Sequence, residues 1–184
     1  MDNGDLCYKR YINGDDEGLV DIIRDYKDGL ILYLYGITGN IGLSEEYAEE
    51  TFFKLAVKKP VFRGKSSFKT WLYAISRNAA IDGMRKSSRI SDTPLEEYTD
   101  IYDESDIEAD LLKEEQRLHL HRAMKNLSND YRQVLYLTFF EDFSINETAK
   151  IMKKSKKQIN NLLYRAKQSL KAILEKGGFS YEEL

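Results

Sequence analysis

The chain carries a single cysteine, Cys7, in 184 residues. A lone thiol excludes an intramolecular disulfide framework and cannot by itself build a thiolate metal site. It fits a reducing cytoplasm. Histidine is almost as scarce: His119 and His121 stand two apart, so on a helix they diverge and cannot chelate one metal. Only two prolines, no long apolar run and no charged-then-apolar leader occur. That combination predicts a soluble, unprocessed, helix-rich protein with no membrane insertion. Also missing are a Gly-rich phosphate loop, a Cys/His pair, a metal-spaced ligand set and a serine with an evident histidine partner. No enzyme is expected, and no catalytic, metal or cofactor residue is assigned.

Charge, by contrast, is plentiful and sorted by sign. The net charge of −3 conceals blocks: residues 1–53 hold twelve acids and four bases, whereas residues 54–90 hold ten bases against Asp82 alone. Residues 91–116 reverse to eleven acids against Lys113, and residues 150–176 return to nine bases against Glu175. Solvated helix faces seldom segregate so sharply. Two basic blocks around an acidic one point to two separate nucleic-acid contacts.

Residues 1–14 show little periodicity and offer Tyr8, Tyr11 and Ile12 as anchors. From Glu17 the apolar positions Leu19, Ile22, Ile23, Tyr26, Leu30 and Leu34 form a helical stripe. Glycines and an asparagine between Gly36 and Gly42 predict a break. Ser44 is expected to cap the next helix, with Glu45 and Glu46 in its first turn. The loop from Lys58 to Lys69 interleaves Lys58, Lys59, Arg63, Lys65 and Lys69 with Phe62 and Phe68. Rings among cations suit a single strand, since bases stack while phosphates are neutralised. Core anchoring is the competing role; Phe68 fits it better, and Phe62 fits either. A helix over about Phe68 to Lys86 then gathers Trp71, Asn78, Asp82 and Arg85 on one side, with Leu72, Ile75 and Ala79 toward the core.

Near the C-terminal end, Ser144-Ile145-Asn146-Glu147 spells a capping box. A tight turn around Lys153-Lys154-Ser155 leads into a longer helix capped by Ser155. Ile159, Leu162, Leu163, Ala166, Leu170 and Ile173 fall on one side of it, and Lys157, Asn160, Asn161, Tyr164, Arg165 and Gln168 on the other. Short helix, turn and long helix with a basic, amide-rich face predict a DNA-reading helix-turn-helix. Upstream, a helix from Asp110 through Leu118, Leu120, Ala123, Met124 and Leu127 leads to Ser128 as the next cap, with Tyr131, Val134, Leu135, Leu137, Thr138 and Phe139 as core. Gly177-Gly178 is expected to end the long helix.

Several of these stretches resemble one family. Phe62-Arg63-Gly64, Phe68-Lys69-Thr70-Trp71-Leu72-Tyr73, Arg77-Asn78 and Asp82 to Arg85 resemble the promoter-melting region of extracytoplasmic-function (group 4) sigma factors of the sigma-70 family. Ser44-Glu45-Glu46 to Glu50-Thr51-Phe52 resembles the helix before it. Leu127-Ser128, Arg132-Gln133-Val134-Leu135, Glu147-Thr148-Ala149 and Tyr164-Arg165-Ala166-Lys167 resemble the C-terminal promoter-binding domain. The resemblance covers most of the chain apart from each tip and the acidic stretch.

It implies an all-α protein of two small helical domains joined by a flexible acidic linker, the second a helix-turn-helix (winged-helix-like) domain. Residues 1–89 would be the region 2 domain, 90–113 the linker and 114–184 the region 4 domain. Glu46, Glu49, Glu50 and Phe53 would dock on the β′ coiled coil of core RNA polymerase. Phe62, Arg63, Lys65, Trp71, Arg77, Asn78 and Arg85 would capture the melted minus-10 strand, with Phe62 cradling and Asn78 reading a flipped-out base. Capture would offset a few kcal/mol of unpairing. Lys156, Lys157, Gln158, Asn160, Asn161, Tyr164 and Arg165 would read the minus-35 duplex, and the second domain would meet the β flap. The linker would thread the RNA channel, and an anti-sigma factor is an implied partner.

Two departures from the family pattern stand out. The usual turn glycine is Lys153, and the usual basic pair near the reading face is Asn160 and Leu162. Asn pairs with adenine where Arg prefers guanine, so a shifted minus-35 preference is expected opposite Asn160. The competing reading is a two-domain helix-turn-helix regulator that acts without polymerase docking; it gives the loop of Phe62 no task.

Overall fold

The computed structural model of the protein describes residues 3–90 and 124–176. Among the described residues there are seven α-helices, one π-helical stretch and no strand. The first group comprises α1 (Asn3–Ile12), α2 (Glu17–Thr38), α3 (Ile41–Lys58) and α4 (Phe68–Ile90). The second comprises α5 (Asn129–Leu135), running on into π-helical Tyr136–Phe140, then α6 (Ile145–Met152) and α7 (Lys156–Lys176). The acidic stretch 91–116, expected to be a linker, both histidines and Gly177-Gly178 lie outside the described residues.

The α2 stripe folds as its periodicity predicts, with Ile22, Leu30, Tyr33 and Leu34 fully buried against α3 and α4. Leu55, Phe68 and Leu72 close the same core at 0% exposure. Burying each such side chain contributes about 1.5–3 kcal/mol. Residues 3–12 form a helix that their weak periodicity does not indicate. Helix α1 buries Gly4, Cys7, Tyr8 and Tyr11, a helical stripe made of residues that a hydrophobicity pattern scarcely registers. The buried tyrosines keep their hydroxyls satisfied by donating to the carbonyls of Pro60 and Ala56, both at 2.8 Å. Ile12, an expected anchor, is instead 44% exposed.

The expected break is narrower than its glycines imply. Gly36 and Gly42 sit inside helices, and the chain turns only at Gly39 and Asn40. Gly39 adopts φ 70°, and its amide donates to the carbonyl of Tyr35, a left-handed helix stop that glycine adopts without strain. Asn40, not Ser44, is the cap of α3: its side-chain oxygen accepts from the Leu43 amide at 2.9 Å. Ser44 lies fully buried one turn in, with its hydroxyl bonded to the Asn40 carbonyl and to Thr38.

Two further expectations shift by a helical step. On α4, Ala80 rather than Ile75 or Ala79 is fully buried, along with Leu72, Tyr73 and Ser76. The burial is wider than one stripe because α4 packs on α2 and α3 along one flank and on α6 along the other. In the second group the π-helical stretch adds a residue to the turn, which rotates the side chains beyond it. Leu137 and Phe143 therefore point inward, while Phe139, expected in the core, is 55% exposed under the Lys167 ammonium.

Candidate nucleic-acid interface

Helix α6 begins as its sequence predicts. The Ser144 hydroxyl accepts from the Glu147 amide, and the Glu147 carboxylate accepts from the Ser144 amide at 3.1 Å. Lys153 ends the helix in the left-handed region, φ 53° and ψ 44°. The turn closes there because the amides of Lys153 and Lys154 both donate to the Ala149 carbonyl. Lys154 also pairs with Asp130 of α5 at 3.0 Å, tying the turn to the rest of the group. Helix α7 opens with a second reciprocal cap. The Gln158 amide donates to the Ser155 hydroxyl, and the Ser155 amide donates to Gln158 Oε1 at 2.8 Å.

With both caps in place, α7 divides as expected. Ile159 and Ala166 are at 0% exposure, Leu174 is buried, and Leu162, Leu163, Leu170 and Ile173 are half-buried on the same side. Lys156, Lys157, Gln158, Asn160, Asn161, Tyr164 and Arg165 are all exposed. Lys150, Lys153, Lys154 and Lys156 line an open depression at the turn beside Asn146. The turn therefore gathers four cations beside an exposed helix face that carries amides.

The first group presents its own exposed features. Between α3 and α4 the chain runs as a loop. Within it Arg63 and Lys65 are exposed, and Phe62 is half-buried. The Phe62 ring packs on Trp71 at 5.2 Å and edge-on against Phe68 at 5.7 Å between centroids. Phe68 is core, while Phe62 and Trp71 form a partly open aromatic ledge among cations. Asn78 is half-buried farther along α4, and Arg85 and Asp82 are exposed and 4.0 Å apart. On α3 the exposed residues Glu46, Glu49, Glu50 and Phe53 follow one helical side, Phe53 at 65% exposure and Val57 beyond it at 61%. This is an acidic stripe with an apolar end.

Arg77 does not join the Phe62–Trp71 ledge. It is 9% exposed, and its Nε donates to Gln133 Oε1 of α5 at 2.9 Å. Gln133 also accepts from the Tyr33 hydroxyl at 3.5 Å. Nearby, Lys69 pairs with the Glu141 carboxylate at 2.8 Å and donates to its carbonyl at 3.0 Å. Tyr73 bonds to Glu141 too; burial, then the Glu141 charge, pushes its phenol far above the ordinary range, so it stays a donor. The Thr70 and Ser67 hydroxyls donate to Glu147 Oε1 at 3.0 and 3.3 Å. Partial burial disfavours the Glu147 charge, but the bonds from Ser144, Thr70 and Ser67 together outweigh it and hold the carboxyl below its usual pKa. Sequence reasoning missed Tyr73, Gln133 and Glu141, because each gains its role only from a partner distant in the chain.

Residues 22–90 match Sigma-70 region 2, and residues 117–170 match Sigma-70, region 4. The chain is similar to RNA polymerase sigma factor YlaC of Bacillus subtilis (strain 168), 27% identical over 164 residues, 87% of this chain and 94% of that one. ECF RNA polymerase sigma factor SigW of the same strain is 26% identical over 175 residues, 90% of this chain and 94% of that one. Among solved structures, the sigma factor RpoE in complex with the anti-sigma factor NepR from Bartonella quintana aligns at TM-score 0.67 and 24% identity, over 84% of this chain and 97% of that one. CnrH in complex with the cytosolic domain of CnrY aligns at TM-score 0.67 and 18% identity, over 95% and 99%. Those two likenesses bear on the fold, that of two helical domains. With region 2 and region 4 matched in order on one chain, and with extracytoplasmic-function sigma factors as its relatives, the protein belongs to the sigma-70 family of RNA polymerase sigma factors.

Proposed function

We propose that this sigma factor is a group 4 extracytoplasmic-function factor acting in the cytoplasm, without catalytic activity of its own. It binds core RNA polymerase, reads a minus-35 duplex with α7 and captures a melted minus-10 strand with the loop and α4. The observation that carries this is the pairing of two separate basic surfaces of different character. One is a helix face of amides and cations suited to a groove; the other is a ring ledge among cations suited to unstacked bases.

In this reading residues 1–89 form the polymerase-docking and strand-capturing domain, 90–113 the acidic linker and 114–184 the duplex-reading domain. Phe62 and Trp71 offer rings, Asn78 a base-reading amide, and Arg63, Lys65, Arg77 and Arg85 the phosphate charge. Lys156, Lys157, Gln158, Asn160, Asn161, Tyr164 and Arg165 serve the duplex. Glu46, Glu49, Glu50 and Phe53 meet the β′ coiled coil, the second domain meets the β flap, and an anti-sigma factor competes for these surfaces. The exposed Phe53 at the end of an acidic stripe supports docking on a basic, apolar-tipped partner, since buried aromatics dominate interface energies. Co-purification with core polymerase tests it. Wild type is expected to be retained, and Phe53→Glu is expected to reduce retention at least tenfold. Retention of neither protein, or of both equally, would refute the docking assignment.

A further inference from the structure

The loop that carries Phe62 leaves α3 under tight constraint. Lys59 closes the end of α3 in the left-handed region, φ 42° and ψ 55°, and Pro60 follows it. A residue before proline is turned away from the right-handed helix, so the chain changes direction there. Pro60 also has no amide hydrogen to offer the Ala56 carbonyl, the bond that a further turn of helix would have made. Among the described residues, Pro60 to Lys65 make no backbone-to-backbone hydrogen bond. Side chains therefore set the path of this loop.

Two of them come from α1, which precedes the stretch matching Sigma-70 region 2. The Tyr11 hydroxyl donates to the Ala56 carbonyl at 2.8 Å and supplies the donor that Pro60 lacks. Lys59 Nζ lies 4.5 Å from the centre of the Tyr11 ring, a cation–π contact across the bend. One turn back, the Tyr8 hydroxyl donates to the Pro60 carbonyl at 2.8 Å. The Tyr8 ring centroid is 5.5 Å from that of Trp71 and 5.4 Å from that of Phe68, the two rings on which Phe62 also packs. Burial, then Tyr11, pushes the Tyr8 phenol up to about 12, so it remains a donor at neutral pH. Helix α1 is itself held close. A Cβ on Gly4 would lie 2.5 Å from the Phe68 ring, and Arg10 pairs with Asp21 of α2 at 2.9 Å.

We propose that Tyr8 and Tyr11 are positioning residues for strand capture, acting through Phe62 without touching the strand. Their hydroxyls clasp the backbone on both sides of Lys59, so that Phe62 meets Trp71 before any strand arrives. A strand then does not bear the entropic cost of ordering the loop. The role in capture rests on the strand-capture reading, whereas the clasp on the loop does not.

Trypsin cleavage of the full-length chain after Arg63 and Lys65 reads the clasp, and anisotropy of a labelled minus-10-type single strand reads its consequence. Tyr8→Phe and Tyr11→Phe keep both rings and remove only the hydroxyls. Each is expected to raise the cleavage rate at those sites and the strand Kd about fivefold, the scale of one lost hydrogen bond. Affinity for a minus-35 duplex is expected to stay at the wild-type value. Phe62→Ala is expected to weaken strand binding, and adding Tyr8→Phe to it to weaken binding no further, because the hydroxyl acts through that ring. Unchanged cleavage in both single variants overturns the clasp. Raised cleavage with unchanged strand affinity overturns the positioning role. So does an equal loss of duplex affinity, or an equal loss on the Phe62→Ala background. If wild type binds no strand, or Phe62→Ala binds it as well as wild type, the strand-capture reading fails and the positioning role with it, while cleavage still decides the clasp.

Discussion

Replacing Glu147 with alanine removes one carboxylate that serves two halves of the chain. Within α6 it loses the return bond of the capping box, about 1 kcal/mol. Across the seam it loses the acceptor of the Thr70 and Ser67 hydroxyls, at 3.0 and 3.3 Å. Hydrogen bonds to a charged group contribute about 1.5–3 kcal/mol each when desolvated. Because this carboxyl is only partly buried, about 1 kcal/mol for the Thr70 bond is the appropriate size. The cycle of Glu147→Ala, Thr70→Val and the double variant isolates that bond. Trp71, the chain's only tryptophan, packs in the first group against Phe62, Phe68 and Tyr8, so its fluorescence reports that group alone.

A change at Glu147 reaches this signal only if the halves are docked. In urea the expected shift is about 0.5 M in midpoint, with a coupling energy near 1 kcal/mol. Because the folded Glu147 carboxyl lies below its ordinary value of 4.5, the coupling is fully present above that pH. It is lost as pH falls through the depressed folded value. Additivity within about 0.3–0.5 kcal/mol at neutral pH would refute a docked seam in solution.

Lys153→Gly relieves a left-handed residue at a strain of about 1–2 kcal/mol while adding roughly 0.4–1 kcal/mol of unfolded-state freedom. A calorimetric Tm rise of about 2 °C is expected, and a fall in Tm would contradict the strain argument. Binding selection on randomised duplexes should show a minus-35 preference for adenine at the position facing Asn160; a guanine preference there would refute that role for Asn160.

What the sequence made legible was local. The capping box at Ser144, the division of α7 into buried and exposed sides and the α2 stripe each rest on residues within a few turns. The helix over Asn3–Ile12 was not legible, because its buried stripe is glycine, cysteine and two tyrosines whose hydroxyls need the carbonyls of Ala56, in the last turn of α3, and Pro60, just beyond it. Phe139 was misplaced because a π-helical insertion leaves no mark in a 3.6-residue pattern. Arg77 shows the limit most clearly. Its helix was predicted and its charge suits a phosphate, but its burial depends on Gln133, fifty-six positions away. The exposed face of α7 was legible throughout, since exposure there needs no distant partner.

Promoter-specific initiation is the central claim. Its most direct test is in-vitro transcription by core RNA polymerase, with and without the full-length protein, on a library of randomised minus-35 and minus-10 elements. Transcripts are expected that depend on the added protein and start downstream of one paired set of elements, and they are lost when the seven exposed α7 residues are replaced by alanine. Initiation no different from core polymerase alone would contradict the claim.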